Sequence, residues 1–100
     1  MILEVAILTI CNGMERKFEQ AFLEASAILD SIPGYISHQM QRCVEIPGRY
    51  MLFINWETLE AHTIVFRNAP EHLRWKQLLG PFYESPAIVE HYALVTQSAA

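Results

Sequence analysis

Two strand-length stretches of this chain are apolar on both of their faces, and that requirement limits the folds open to it. Residues 2–10 (ILEVAILTI) are interrupted only by Glu4 and Thr9. Residues 50–56 (YMLFINW) place Tyr50, Leu52, Ile54 and Trp56 on one side and Met51 and Phe53 on the other. Strands with two apolar faces need cover on both. One layer of helices covers one face, and face-to-face packing against a second copy of the chain covers the other. The composition points the same way. A 100-residue chain that is 52% apolar and 18% charged makes one domain and leaves apolar surface over when it folds alone.

The remaining punctuation orders the elements. Asn12-Gly13 closes the first strand, and Asn12 is expected to cap a helix with Glu15 at the capping-box position. Phe18, Ala21, Phe22, Ala25, Ile28 and Leu29 then recur at three and four residues, so this helix is amphipathic. Pro33 and Gly34 break it. Residues 35–45 form a strand that returns through Ile46-Pro47-Gly48-Arg49 as a hairpin with residues 50–56. Thr58 caps a second helix on which Leu59, His62 and Phe66 share a face. Asn68-Ala69-Pro70 interrupts that helix, and a second piece starts with Pro70 in its first turn. That piece carries His72, Trp75 and Leu79 on one face and ends at Gly80-Pro81. Residues 82–86 form a loop, residues 87–95 (AIVEHYALV) the last strand, and residues 96–100 a frayed end. Strand, helix, strand, strand, broken helix, strand is the ferredoxin-like βαββαβ pattern of an α+β fold. One domain spans residues 1–96, with 97–100 as a tail.

Several function classes are disfavoured. A net charge of −4 with seven basic residues, none in a run, argues against nucleic acid. No apolar stretch is long enough to span a bilayer, and Met1 leads into an acidic strand rather than a basic leader. Cys11 and Cys43 have no metal or CxxC spacing and read as reduced thiols of a cytoplasmic protein. The four histidines lie in no HxH or HExxH pattern, so no metal site is expected.

The segments NWETLEAH (55–62), FRNAPEHLRWKQLLGPFYESP (66–86) and VEHY (89–92) resemble the antibiotic biosynthesis monooxygenase family of dimeric α+β barrel proteins. The resemblance covers nearly the whole chain and is strongest over residues 55–92. It implies a ferredoxin-like protomer, a homodimer whose sheets close a barrel, and a pocket between helices and sheet in each protomer. It also implies oxygenation of aromatic polyketides or quinols with neither metal nor flavin. The family's haem-degrading branch needs an Asn on the first strand and a Trp and a His on the later helices. This chain has Val5-Ala6-Ile7, then Val65 or Phe66, and Trp75 at those places, which argues against haem.

Cofactor-free oxygenation needs a substrate able to reduce dioxygen itself, such as a phenol or hydroquinone, and deprotonation makes it a better donor. His62 is the candidate base, since an imidazole titrates near neutral pH; a buried structural histidine is the competing reading. Asn55, Phe66, Arg67, His72, Trp75 and Tyr83 are the candidate substrate-binding residues. Of these, Asn55 is a polar side chain inside an apolar strand, Arg67 could hold an acidic group, and Tyr83 with Phe82 could roof a pocket or clasp the partner. His91 reads as an interface residue and His38 as an ordinary strand residue. The expected function is a cofactor-independent monooxygenase acting on a small aromatic molecule. The alternative is a non-catalytic dimer of the same fold that binds a ligand or serves in stress. The two-sided strands predict that sedimentation at micromolar concentration finds a dimer; a folded monomer there contradicts the reading.

Overall fold

The computed structural model describes residues 1–99. Four strands, β1 (Ile2–Thr9), β2 (Tyr35–Arg42), β3 (Arg49–Trp56) and β4 (Ile88–Tyr92), form one antiparallel sheet in the order β2-β3-β1-β4. Helix α1 (Glu15–Leu29), a π-helical segment (Ala61–Phe66) and helix α2 (Pro70–Leu79) supply the helical cover. This is the ferredoxin-like α+β fold expected from the element order. Among the described residues, no helix is long and apolar enough to cross a membrane.

Register divides the sheet into two unlike faces. Glu4 lies opposite Ile54 on β3 and His91 on β4, and Ala6 lies opposite Leu52 and Val89. Directly paired residues point the same way, so Glu4, Ala6, Leu8, Tyr50, Leu52, Ile54, Trp56 and His91 all face the helices. Against them α1 buries Phe18, Phe22, Ala25 and Leu29, and Trp56, Phe18, Ala25 and Leu29 are fully enclosed. The opposite face carries Leu3, Val5, Ile7, Met51, Phe53 and Asn55, with Ile88 and Tyr92 substantially exposed beside them. The strands are apolar on both sides, and the helices cover one.

The element ends differ from expectation at several points, each for a local reason. Helix α1 begins at Glu15 behind Met14, with no side-chain cap; Gly13 at φ +84° completes a turn in which Met14 N–H donates to the Cys11 carbonyl at 3.0 Å. The chain thus turns first at Asn12-Gly13 and starts the helix afterwards, so Asn12 caps nothing. Strand β2 stops at Arg42 rather than residue 45, because residues 43–48 are needed to reverse the chain, with Gly48 at φ +81°. Strand β4 stops at Tyr92, and residues 93–99 have no regular structure. The tail expected over 97–100 runs to Ala100, which lies outside the described residues.

Thr58 behaves as expected and accepts a hydrogen bond from Ala61 N–H at 3.1 Å. The helix it starts widens into the π form across 61–66, with α-helical residues at 59–60 and 67–68. The wider turn brings both Ala61 and His62 to the buried side with Phe66 and leaves Leu59 40% exposed, so Leu59 does not share their face. Gly34 makes this seat possible. Its carbonyl accepts from Glu57 N–H at 2.8 Å, and a Cβ on it would stand 2.6 Å from the Ala61 Cβ. Gly34 also sits at φ +90°. Replacing Gly34 with Ala is therefore expected to lower stability by about 2–3 kcal/mol, combining the backbone penalty with the clash. Gly13→Ala, with nothing within 4 Å of the added carbon, is expected to lose only the backbone part, about 1 kcal/mol. Thermal or denaturant unfolding of the two variants measures the difference.

Candidate active site

A cavity of about 300 Å³ opens between the helix face of the sheet and the paired segments 61–66 and 70–79. Its walls are apolar and aromatic: Ala6, Leu52 and Ile54 from the sheet, with Phe66, Trp75 and Leu79 from the helices. The polar groups that reach it are Glu4, His62, Arg67, His72, Lys76 and Tyr83. They come from four separate parts of the chain.

Glu4 and His62 are the buried polar side chains among the described residues, each 5% exposed. Trp56 Nε1–H donates to Glu4 Oε1 at 2.9 Å, and His62 Nε2 lies 3.4 Å from the same oxygen. The other ring nitrogen of His62, Nδ1, is 2.8 Å from His91 Nε2. The imidazole stacks on Trp56, with centroids 5.5 Å apart and planes inclined by 18°. Both nitrogens of His62 are thus directed at protein groups, and the ring is held flat against the indole. The arrangement is a chain, Glu4–His62–His91. With Glu4 ionised, His62 carries its proton on Nε2 and accepts one from His91 Nε2–H. With Glu4 protonated, His62 carries its proton on Nδ1 and donates it to His91. The two states differ by one proton, so passing from the first to the second takes up one proton from outside the chain along with the change of tautomer.

Burial and nearby charge fix the resting protonation. Burial, with the positive Arg67 and the imidazoles of His91 and His72 close by, lowers the pKa of His62 from 6.5 to about 3. The imidazole is therefore neutral at pH 7, and its 3.4 Å contact with Glu4 is not an ion pair. Burial pushes the Glu4 carboxyl upward from 4.5, against the Trp56 hydrogen bond and the charge of Arg67, which pull it down. Burial and the negative Glu4 raise Tyr83 to about 12, so its hydroxyl stays protonated and can donate a hydrogen bond into the cavity. His72 and His91 are both lowered, chiefly by burial.

The structure brings together most of the residues singled out from sequence. His62, Phe66, Arg67, His72, Trp75 and Tyr83 all border this cavity. Phe66 stands edge-on to His72 at 4.9 Å and to Trp75 at 5.6 Å, which builds one aromatic wall. Arg67 is exposed and enters none of the ion pairs among the described residues. Asn55 is not part of the site. It lies on the opposite face of the sheet, donates to Ser37 Oγ at 3.0 Å, and borders a separate hollow with Leu3, Met51 and Tyr92. The strand period puts it one residue out of phase with Trp56 and Ile54. Phe82 packs on Phe18 in the core at 6.1 Å rather than roofing the cavity. His38 is bonded to the Tyr35 hydroxyl at 2.6 Å.

Glu4 and His91 were not singled out as site residues. For Glu4 a signal existed: a carboxylate in phase with Ala6 and Leu8 on an apolar strand must be buried with a partner. His91 is directed at the helix layer rather than at an interface, because it stands opposite Glu4 in the sheet.

Fold and site together define a class of protein. The family model for antibiotic biosynthesis monooxygenases matches residues 1–78, and the chain belongs to that family. Its relatives include the uncharacterised Bacillus subtilis protein YczJ, 44% identical over 92 residues, which is 92% of this chain and 97% of YczJ. The crystal structure of a Bordetella bronchiseptica protein described under the same family name matches with a TM-score of 0.92 at 29% identity, covering 95% of this chain and 97% of that one. SnoaB, a cofactor-independent oxygenase from Streptomyces nogalater, matches with a TM-score of 0.74 at 19% identity, covering 98% of this chain and 94% of that one. That last likeness is one of fold.

The His62 environment predicts an acid-sensitive fold. Its pKa is lower folded, at about 3, than unfolded, at 6.5. Unfolding therefore takes up protons between those values, and stability is lost as pH falls through that window, by up to a few kcal/mol. Glu4, with its raised folded pKa, acts in the opposite sense. In His62→Gln the dependence of unfolding free energy on pH over this window is expected to be shallower than in the wild type.

Proposed function

We propose that the protein is a cofactor-independent monooxygenase of small, electron-rich phenols or quinols. The observation that carries this reading is an aromatic-walled cavity of about 300 Å³ that ends in the buried Glu4–His62–His91 chain. An apolar pocket with a few convergent polar groups of perturbed pKa fits a reactive aromatic better than it fits packing alone. Membership of the family and the fold shared with a cofactor-independent oxygenase support the same reading.

For a quinol the reaction balances without a further reductant. The ring hydroxyl gives up its proton to the chain, and the resulting anion transfers electrons to dioxygen. One oxygen atom enters a ring C–H as a hydroxyl, and the other leaves as water with the two protons and two electrons of the quinol. The product is a hydroxyquinone. Phe66 and Trp75 would hold the ring plane, and the Tyr83 hydroxyl would donate to a developing oxyanion. Arg67, in no ion pair among the described residues, would favour the anionic form of the substrate by simple charge. The uncovered apolar sheet face supports a homodimer formed by face-to-face packing, as the two-sided strands require.

The test is oxygen uptake by the purified protein across a panel of quinols and phenols. On an active substrate, His62→Ala is expected to reduce turnover by about 10²- to 10⁴-fold while the protein stays folded. The same change is expected to lower stability by about 1–3 kcal/mol, because it leaves buried partners unpaired. Full turnover in a folded His62→Ala protein contradicts the reading. Binding of aromatics with no oxygen uptake anywhere in the panel favours a non-catalytic ligand-binding protein.

A further inference from the structure

We infer that Glu4, and not His62, is the group that touches the substrate and removes its hydroxyl proton, with His62 acting as a positioning residue behind it. The inference rests on the proposed aromatic substrate and assigns the proton within that site.

Three observations lead here. First, both ring nitrogens of His62 are already engaged, Nδ1 by His91 at 2.8 Å and Nε2 toward Glu4 at 3.4 Å. A substrate hydroxyl could reach His62 only by displacing one of them. Second, both contacts of the Glu4 carboxylate fall on the same oxygen, Oε1. No buried side-chain nitrogen or oxygen among the described residues lacks a hydrogen-bond partner. Oε2, which carries neither contact, is therefore reached from the cavity that Glu4 lines. Third, the face of Glu4 is built from every surrounding element. Trp56 comes from β3, His91 from β4, His62 and Arg67 from the helix after β3, and Tyr83 from the turn after α2, with His72 of α2 in the same cavity. Of these, Trp56 and His62 contact Oε1 and fix its orientation, which leaves its twin toward the apolar space. Burial also makes the carboxylate a stronger base than an exposed one, while the same burial makes His62 a weaker one.

The step is a single proton transfer. The phenolic O–H bond breaks, an O–H bond forms on Glu4 Oε2, and the phenolate keeps the electron pair. His62 and Trp56 donate to Oε1 while the transfer takes place, which stabilises the carboxylate as the accepting base.

The test uses 4-nitrophenol, an electron-poor phenol whose phenolate is yellow, added to the intact protein. In the wild type, bound probe is expected to ionise at lower pH than free probe. A carboxylic-acid C=O band should appear in the infrared difference spectrum as it does so. In Glu4→Gln the probe should still bind, the band should be absent, and bound probe should ionise no more readily than free. His62→Phe should keep the band but move the ionisation pH, which a merely structural role for His62 would not do. Should Glu4→Gln fail to fold, the wild-type infrared band decides alone. A wild-type protein that fails to bind the probe, binds it only as neutral phenol, or ionises it without a carboxylic-acid band overturns the inference. So does a folded Glu4→Gln that ionises it as the wild type does. Oxygen uptake is scored separately with quinols: ionisation through Glu4 without uptake removes the monooxygenase reading and leaves this one standing. With an active quinol, Glu4→Gln is expected to lower turnover by about 10²- to 10⁴-fold.

Discussion

A carboxylate held under the helix layer, with an indole N–H on one of its oxygens, is the constraint around which this molecule is arranged. Burying an ionisable group with no partner costs several kcal/mol. Glu4 is 5% exposed on a strand whose neighbouring helix-side residues are Ala6 and Leu8. The Trp56 hydrogen bond at 2.9 Å, joining residues 52 positions apart, offsets part of that cost and locks the end of β3 against the start of β1. A hydrogen bond to a charged group contributes about 1.5–3 kcal/mol, comparable to losing a good part of a core side chain. Trp56 is also the floor on which His62 lies flat. One indole therefore satisfies the acid and orients the imidazole.

The helix over this floor departs from ideal form where it meets the site. Six residues in π winding place Ala61 and His62 together on the buried side, which a regular turn would separate. Such segments recur where a helix must present side chains to a site. Here the widened turn is seated by Gly34 from the loop before β2, whose missing side chain lets Ala61 approach. Gly34 makes no contact within the acid-base chain, yet it bears directly on the helix that carries His62. The arrangement connects a backbone requirement in one loop to a protonation state in the cavity. A shallower seat would admit water and weaken the desolvation that keeps His62 neutral.

Electrostatically the cavity is lopsided. One carboxylate lies at its base, while Arg67, His72 and Lys76 stand along the helical wall. The histidines are neutral at pH 7 because burial and neighbouring positive charge both disfavour their charged forms. Tyr83 keeps its proton for the complementary reason, being buried beside a negative Glu4. The site thus offers a base, a hydrogen-bond donor and a cation around an apolar space. That combination suits a hydroxylated ring on its way to an anion.

Local pattern by itself determined much of this. The three-and-four spacing of Phe18, Phe22, Ala25 and Leu29 fixed the buried side of α1, and Thr58 marked the start of the next helix. The period of β3 sorted Tyr50, Leu52, Ile54 and Trp56 from Met51 and Phe53, and it also puts Asn55 on the far face, away from the cavity. His62 and Phe66 were legible as inward because neighbours along a helix are set by its pitch. The family was legible too, since its segments at 55–62 and 66–86 are local strings. Tertiary structure decided the partners. Whether Glu4 meets Trp56, and whether His62 meets His91 across 29 residues, depends on how β1, β3 and β4 align and how deep the helix sits. No spacing along the chain encodes that alignment, because strand register is set by packing of the whole apolar face and by turn geometry. The exposure of Leu59 has the same origin: an ideal helix pitch predicts it buried, and the π turn that turns it outward is a response to what lies beneath.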